Sequence, residues 1–182
     1  MPGQTVGIST FSGELMEALH LTRSQLSFSY LCGTISSSFV LPLAGKALDS
    51  WGPRVFTASA AFAMIGCMFN FSVCDVITEH ATYALHHIHA LKEIKPEYVS
   101  WTVAYCGFFA VRHFGQGWLT MRSRTMMASW WEAQRGRMMA YSGMGVAFMF
   151  GITPLFFERL IRSFGWRDAL RGCLGGYLLF FA

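Results

Sequence analysis

Between Trp101 and Met121 the chain runs for 21 residues whose only interruptions are Arg112 and His113. Arg112 is the twelfth residue of that run, so on a helix it sits near the middle. Tyr105, Phe108, Arg112 and Gln116 follow one another at i, i+3, i+7 and i+11, which on an α-helix presents a phenol, a ring, a cation and an amide on one face. A guanidinium is a planar fork of donors that matches a carboxylate, so this face could hold a small organic anion. The ordinary alternative is an arginine bonded to carbonyls of neighbouring helices or to a polar side chain from the face carrying Tyr30, Thr34 and Ser38. Tyr30 completes the candidate substrate-binding set of Arg112, Gln116, Tyr105 and Phe108.

A second informative place is LPLAGKALDSWGPRVF, which carries Gly45, Asp49, Gly52 and Arg54 between two apolar runs. Gly52 and Pro53 are turn residues, and Asp49 falls at the end of a helix, where a negative charge opposes the helix dipole and calls for a partner. A solvated turn with a helix-end charge is the alternative for these residues. A third candidate is His80, His86, His87 and His89. His86, His89 and Glu93 at i, i+3 and i+7 could converge on a metal, but no histidine pair has the i+4 spacing. Ala84, Leu85, Ile88 and Leu91 keep a helical period, so an amphipathic helix on a membrane surface, ended by Pro96, explains the same residues without metal. No nucleophile elbow, phosphate loop or pair of catalytically spaced carboxylates lies in the apolar runs, so no catalytic residue, cofactor or metal ligand is assigned and an enzyme is not expected.

These residues must be positioned by a chain that water alone would not suit. Of 182 residues, 53% are hydrophobic, 16% aromatic and only 13% charged, and mean hydropathy is +0.38. Charge at about half the usual quarter excludes an ordinary soluble domain and equally a disordered chain. The net charge of +4 is scattered between apolar blocks, which argues against nucleic acid as a partner. Cys32, Cys67, Cys74, Cys106 and Cys173 lie in or beside apolar runs without paired spacing and read as small apolar fillers. The first residues have neither the basic start nor the apolar centre of a signal peptide.

Charge-free stretches at 24–45, 55–74 and 138–157, with 101–121 as a fourth carrying its arginine, are each long enough to cross a hydrocarbon core of about 30 Å as a helix. Residues 1–13, which are uncharged, and 172–182 are too short to cross and read as partial spans. Small residues recur every fourth position, as Ser29, Gly33 and Ser37, as Ser59, Ala63 and Cys67, as Gly143, Ala147 and Gly151, and as Gly172 and Gly176. Such stripes let helices approach closely in lipid. Pro42 and Pro154 lie inside spans and mark bends. The connections 45–54 and 122–137 carry Lys46, Arg54, Arg122, Arg124, Arg135 and Arg137 against Asp49 and Glu132. The opposite set, 14–23, 75–97 and 158–171, is less densely basic, which places the first set in the cytoplasm and 75–97, a long polar loop, outside.

Gly45, Asp49, Gly52 and Arg54 resemble motif A of the major facilitator superfamily, the loop between its second and third helices. RHFGQG, with Arg112, Gln116 and Gly117, is similar to that superfamily's fourth-helix motif. Arg135 and Gly136 before the fifth helix, and Gly165, Trp166 and Arg167 before the sixth, are placed as in the same family. PGQTVGIS, LPLAG and the segment after GQG resemble the monocarboxylate and oxalate/formate branch. Ser50 and Pro53 stand where motif A usually has basic residues, and Gly143, Gly151 and Pro154 include no adjacent Gly-Pro pair, so a drug/proton antiporter is not expected.

The resemblance implies an all-α polytopic membrane helix bundle, the N-terminal six-helix half of a major-facilitator-type fold, truncated at both ends and lacking its C-terminal half. It implies alternating-access secondary transport of a small organic anion such as a monocarboxylate, with a coupling proton, in a multi-pass protein of the plasma or inner membrane. Gly45, Asp49, Gly52 and Arg54 would form a gate. Two alternatives stay open: a non-transporting membrane fragment or subunit, and a metal-handling membrane protein using His80 to His89.

Overall fold

The computed structural model describes residues 10–87 and 96–181. Among the described residues the chain is helical with no strand: α1 (Ser12–Leu19), α2 (Arg23–Ser72), α3 (Cys74–His87), α4 (Pro96–Ala110), a π-helical segment (Val111–Leu119), α5 (Thr120–Trp130), α6 (Arg135–Phe164) and α7 (Trp166–Phe181). Thr22 and Gln25 cap α2 reciprocally: the Thr22 N–H donates to the Gln25 side-chain oxygen at 2.9 Å, and the Gln25 N–H donates to the Thr22 hydroxyl at 3.3 Å.

Helix α2 is not straight. Gly52 has φ 75° and ψ 164°, a conformation that favours glycine, and Pro53 then opens a new helix where its missing N–H costs nothing. Tyr30 and Phe71 both pack on Phe108, each with ring centroids 5.5 Å apart. A straight helix would separate residues 30 and 71 by roughly 60 Å at about 1.5 Å per residue. The helix therefore folds back at Gly52 into two arms, 23–51 and 53–72.

The continuous helical run 96–130 lies against both arms. A Cβ on Gly33 would sit 2.9 Å from the Phe109 backbone nitrogen, and one on Gly117 would meet the Leu41 side chain at the same distance. Gly33 thus stands level with Phe109 and Leu41 with Gly117, so the first arm and this run point the same way. The turn at Gly52 and the Arg122 and Arg124 pair accordingly share one end of the molecule. At the other end Phe11, Leu15, Leu19, Leu26, Met64, Phe71, Phe108 and Ala169 build the core.

Two helices, Arg23–Ser72 and Arg135–Phe164, are long and apolar enough to cross a membrane. Helix α6 has no buried residue, unlike the core helix of a water-soluble protein. The run 101–121 passes without a break through α4, the π-helical segment and the first residues of α5, and residues 172–181 of the expected partial span lie in α7, a 16-residue helix. The stripe of Ser29, Gly33 and Ser37 is buried against 96–130, while Gly143, Ala147 and Gly151 on α6 are exposed.

Two of the connections carry helices. In residues 14–23, α1 buries Leu15 and Leu19 on one face and leaves Glu14 and Glu17 on the other. In the segment 75–97, α3 reaches from Cys74 to His87, and Pro96 is the first residue of α4, where its ring suits a first turn. Residues 1–9 of the first partial span, and Ile88 to Lys95 with His89 and Glu93, lie outside the described residues.

Candidate functional site

Arg112 and Gln116 lie in the π-helical segment, in which hydrogen bonds close from i to i+5. The Arg112 guanidinium donates through Nη1 to Gln116 Oε1. Its carbon stands 5.4 Å from the centroid of the Tyr30 ring on the first arm of α2, a cation–π arrangement. Phe108 meets the same Tyr30 ring edge-on at 5.5 Å and is itself only 1% exposed. It supports Tyr30 from the core side instead of lining the open face with Gln116. Tyr105 is half-buried, and its hydroxyl donates to Ser36 Oγ at 2.8 Å, a second tie between the run and the first arm.

The structure thus joins Arg112, Gln116, Tyr30 and Phe108 in one contact group, with Tyr105 anchored beside it. Thr34 and Ser38 bond back to the carbonyls of Tyr30 and Thr34, at 2.8 Å and 3.0 Å, so the polar face of the first arm meets Arg112 through the Tyr30 ring. Chemically, an amide oxygen already accepts from the guanidinium where a carboxylate oxygen could accept instead. Gln116 is exposed, so that exchange needs no rearrangement of the core.

At the turn, Asp49 and Arg54 are exposed and form no ion pair with another described residue, so the charge partner expected for Asp49 is not among them. Gly52 is required by its φ of 75°, whereas nothing lies within 4 Å of a Cβ added to Gly45. Trp51 and Phe56 flank the turn, and both rest on Trp118: Phe56 stacks flat on it at 4.4 Å and Trp51 meets it edge-on at 6.0 Å. A cavity of about 520 Å³ lies at the opposite end, lined by Ser24, Gln25, Phe28, Glu97, Tyr98 and Trp101, and includes no residue of the Arg112 group. Among the described residues no three metal-ligating groups converge.

Three features escaped the sequence reading. The π-helical pitch is the first. The second is His113, 5% exposed, whose Nε2 accepts a 2.9 Å hydrogen bond from the Trp118 indole. Its signal was visible as a histidine inside an apolar run, but its partner at i+5 is one that α-helical spacing would never propose. The third is the ion pair between Arg167 and Asp75, which ties the start of α7 to the start of α3, while Arg167 also lies 5.0 Å from the Trp166 ring.

Compared with known proteins, residues 3–182 match the family model described as Major Facilitator Superfamily. No curated protein and no solved structure gives a significant match.

Proposed function

The chain belongs to the major facilitator superfamily, a family of multi-pass membrane transporters and not of enzymes, and we propose that it moves a small organic anion, of the monocarboxylate type, by alternating access around Arg112. The supporting observation is the Arg112 group itself: a guanidinium inside an apolar helix, held by Gln116 on one side and by the Tyr30 ring on the other. An arginine at membrane depth costs about 2.5–3.5 kcal/mol on insertion scales, and an anionic substrate that takes the place of the Gln116 amide offsets part of that cost. In this reading Asp49, Gly52 and Arg54, with Gly45 in the preceding helix, move at the cytoplasmic end as a gate, and a proton is the coupling partner. The six-span arrangement and a plasma or inner membrane location belong to the same proposal.

The test measures binding of acetate and oxalate, as probes, beside thermal stability in the full chain held in lipid. Arg112→Lys keeps the charge and loses the planar fork, so it weakens binding with the fold retained. Arg112→Ala lowers affinity about 10- to 100-fold, the worth of a charge-assisted contact. The contact with the Tyr30 ring favours a second reading, in which Arg112 is an inter-helix tie. Unchanged affinity with reduced stability in Arg112→Ala would establish that reading and refute the binding role.

A further inference from the structure

The His113–Trp118 bond joins residues five apart, and this spacing carries a structural consequence. On an α-helix, at about 100° per residue, positions i and i+5 point about 140° apart and their side chains cannot meet. In a π-helix, where backbone bonds close from i to i+5, they lie on one face. The 2.9 Å bond from Trp118 Nε1 to His113 Nε2 is therefore a bond that only the π-helical form can make. Because Nε2 accepts, the imidazole is neutral here with its proton on Nδ1. That nitrogen is buried and has no hydrogen-bond partner among the described residues.

The pair also spans the distance between the two functional places. His113 follows Arg112 directly and stacks on Phe109 at 5.5 Å with an interplanar angle of 6°. Trp118 lies flat on Phe56 at 4.4 Å and against the edge of Trp51 at 6.0 Å, the two residues that flank Gly52. The segment that carries Arg112 and Gln116 is thus fastened to the aromatic residues of the turn through one indole.

We propose that His113 is a positioning residue: its hydrogen bond with Trp118 holds residues 111–119 in π-helical form and thereby links the Arg112 face to the turn at Gly52. If the bond is lost, the segment gains access to α-helical pitch, which rotates Arg112 relative to Trp118 and frees Trp51 and Phe56 from a fixed seat. The inference rests on the transport reading for its biological meaning, but its test uses no substrate, so the two can fail separately.

The experiment introduces Ser50→Cys in the full chain, with the native cysteines replaced by serine, in lipid nanodiscs, and follows the rate of maleimide labelling at the turn. Trp118→Phe keeps a ring on Phe56 and removes the donor, and His113→Leu removes the acceptor. Each should raise the labelling rate on the order of fivefold, the population shift that one net hydrogen bond controls, and the double variant should add little to either. His113→Gln can accept from the indole through its amide oxygen and should label as slowly as the parent. A His113→Gln variant that labels as fast as His113→Leu, or additive effects of the two single changes, would overturn the proposal. The contrast between Gln and Leu at 113 decides the matter even if Trp118→Phe does not fold.

Discussion

Gly33 and Gly143 belong to stripes of the same pattern, yet the structure assigns them opposite fates. A Cβ on Gly33 would lie 2.9 Å from the Phe109 backbone nitrogen and 3.3 Å from the Phe108 backbone carbon. Backbone atoms cannot rotate aside, so reaching an ordinary contact of about 3.5 Å requires the first arm of α2 and α4 to separate by about 0.6 Å. That separation strains the Tyr30–Phe108 and Tyr105–Ser36 contacts as well. Overpacking of this kind costs about 1–3 kcal/mol. Alanine also improves helix propensity by up to about 1 kcal/mol, but the same gain applies at Gly143, where nothing lies within 4 Å. The difference between Gly33→Ala and Gly143→Ala therefore isolates the close approach and should amount to about 1–3 kcal/mol, with Gly33→Ala the less stable. At about 2–4 °C per kcal/mol for a chain of this size, the two melting curves in nanodiscs, followed by helical circular dichroism, should differ by several degrees. Equal Tm values, or a more stable Gly33→Ala, would refute the view that helix contact at Gly33 is set by backbone approach.

Three further outcomes are expected. Arg167→Ala should destabilise more than Asp75→Asn, because Asp75 Oδ1 is already buried without a partner and loss of the guanidinium leaves a half-buried carboxylate uncompensated; a double-mutant cycle should give a coupling on the order of 1 kcal/mol, and none at all would dismiss the tie. Cysteines at 50 and 123 should react with an impermeant reagent from one side of the membrane and a cysteine at 79 from the other, since the turn at Gly52 and the start of α5 share an end; labelling of 50 and 79 from the same side would disprove this topology. Asp49→Asn should slow transport several-fold while leaving probe affinity within about twofold, because Asp49 is exposed at the turn and away from Arg112; equal losses of both in a folded protein would count against a gate.

Much of this protein was legible in the sequence because much of it is locally determined. The reversal at Gly52-Pro53 follows from residues whose backbone preferences act within the turn itself, and the structure forms it there. The apolar runs 24–45 and 138–157 fall inside helices, and 55–74 does so as far as Ser72, because the need to satisfy backbone groups in an apolar run leaves little choice. Arg112 drew attention through its cost, which any arginine in such a run would carry. Tertiary structure decided the rest. Whether Phe108 backs the site or lines it depends on the helix pitch ahead of Arg112, and that pitch changes at Val111 in a segment where His113 and Trp118 meet and Trp118 settles on Phe56. Gly33 and Gly143 look alike in sequence, but only one has a neighbouring backbone against it. Asp75 and Arg167, 92 residues apart, carry no mark of each other in the chain. Local preferences act over a few residues, whereas pitch, close approach and ion pairing depend on which helices the fold brings side by side.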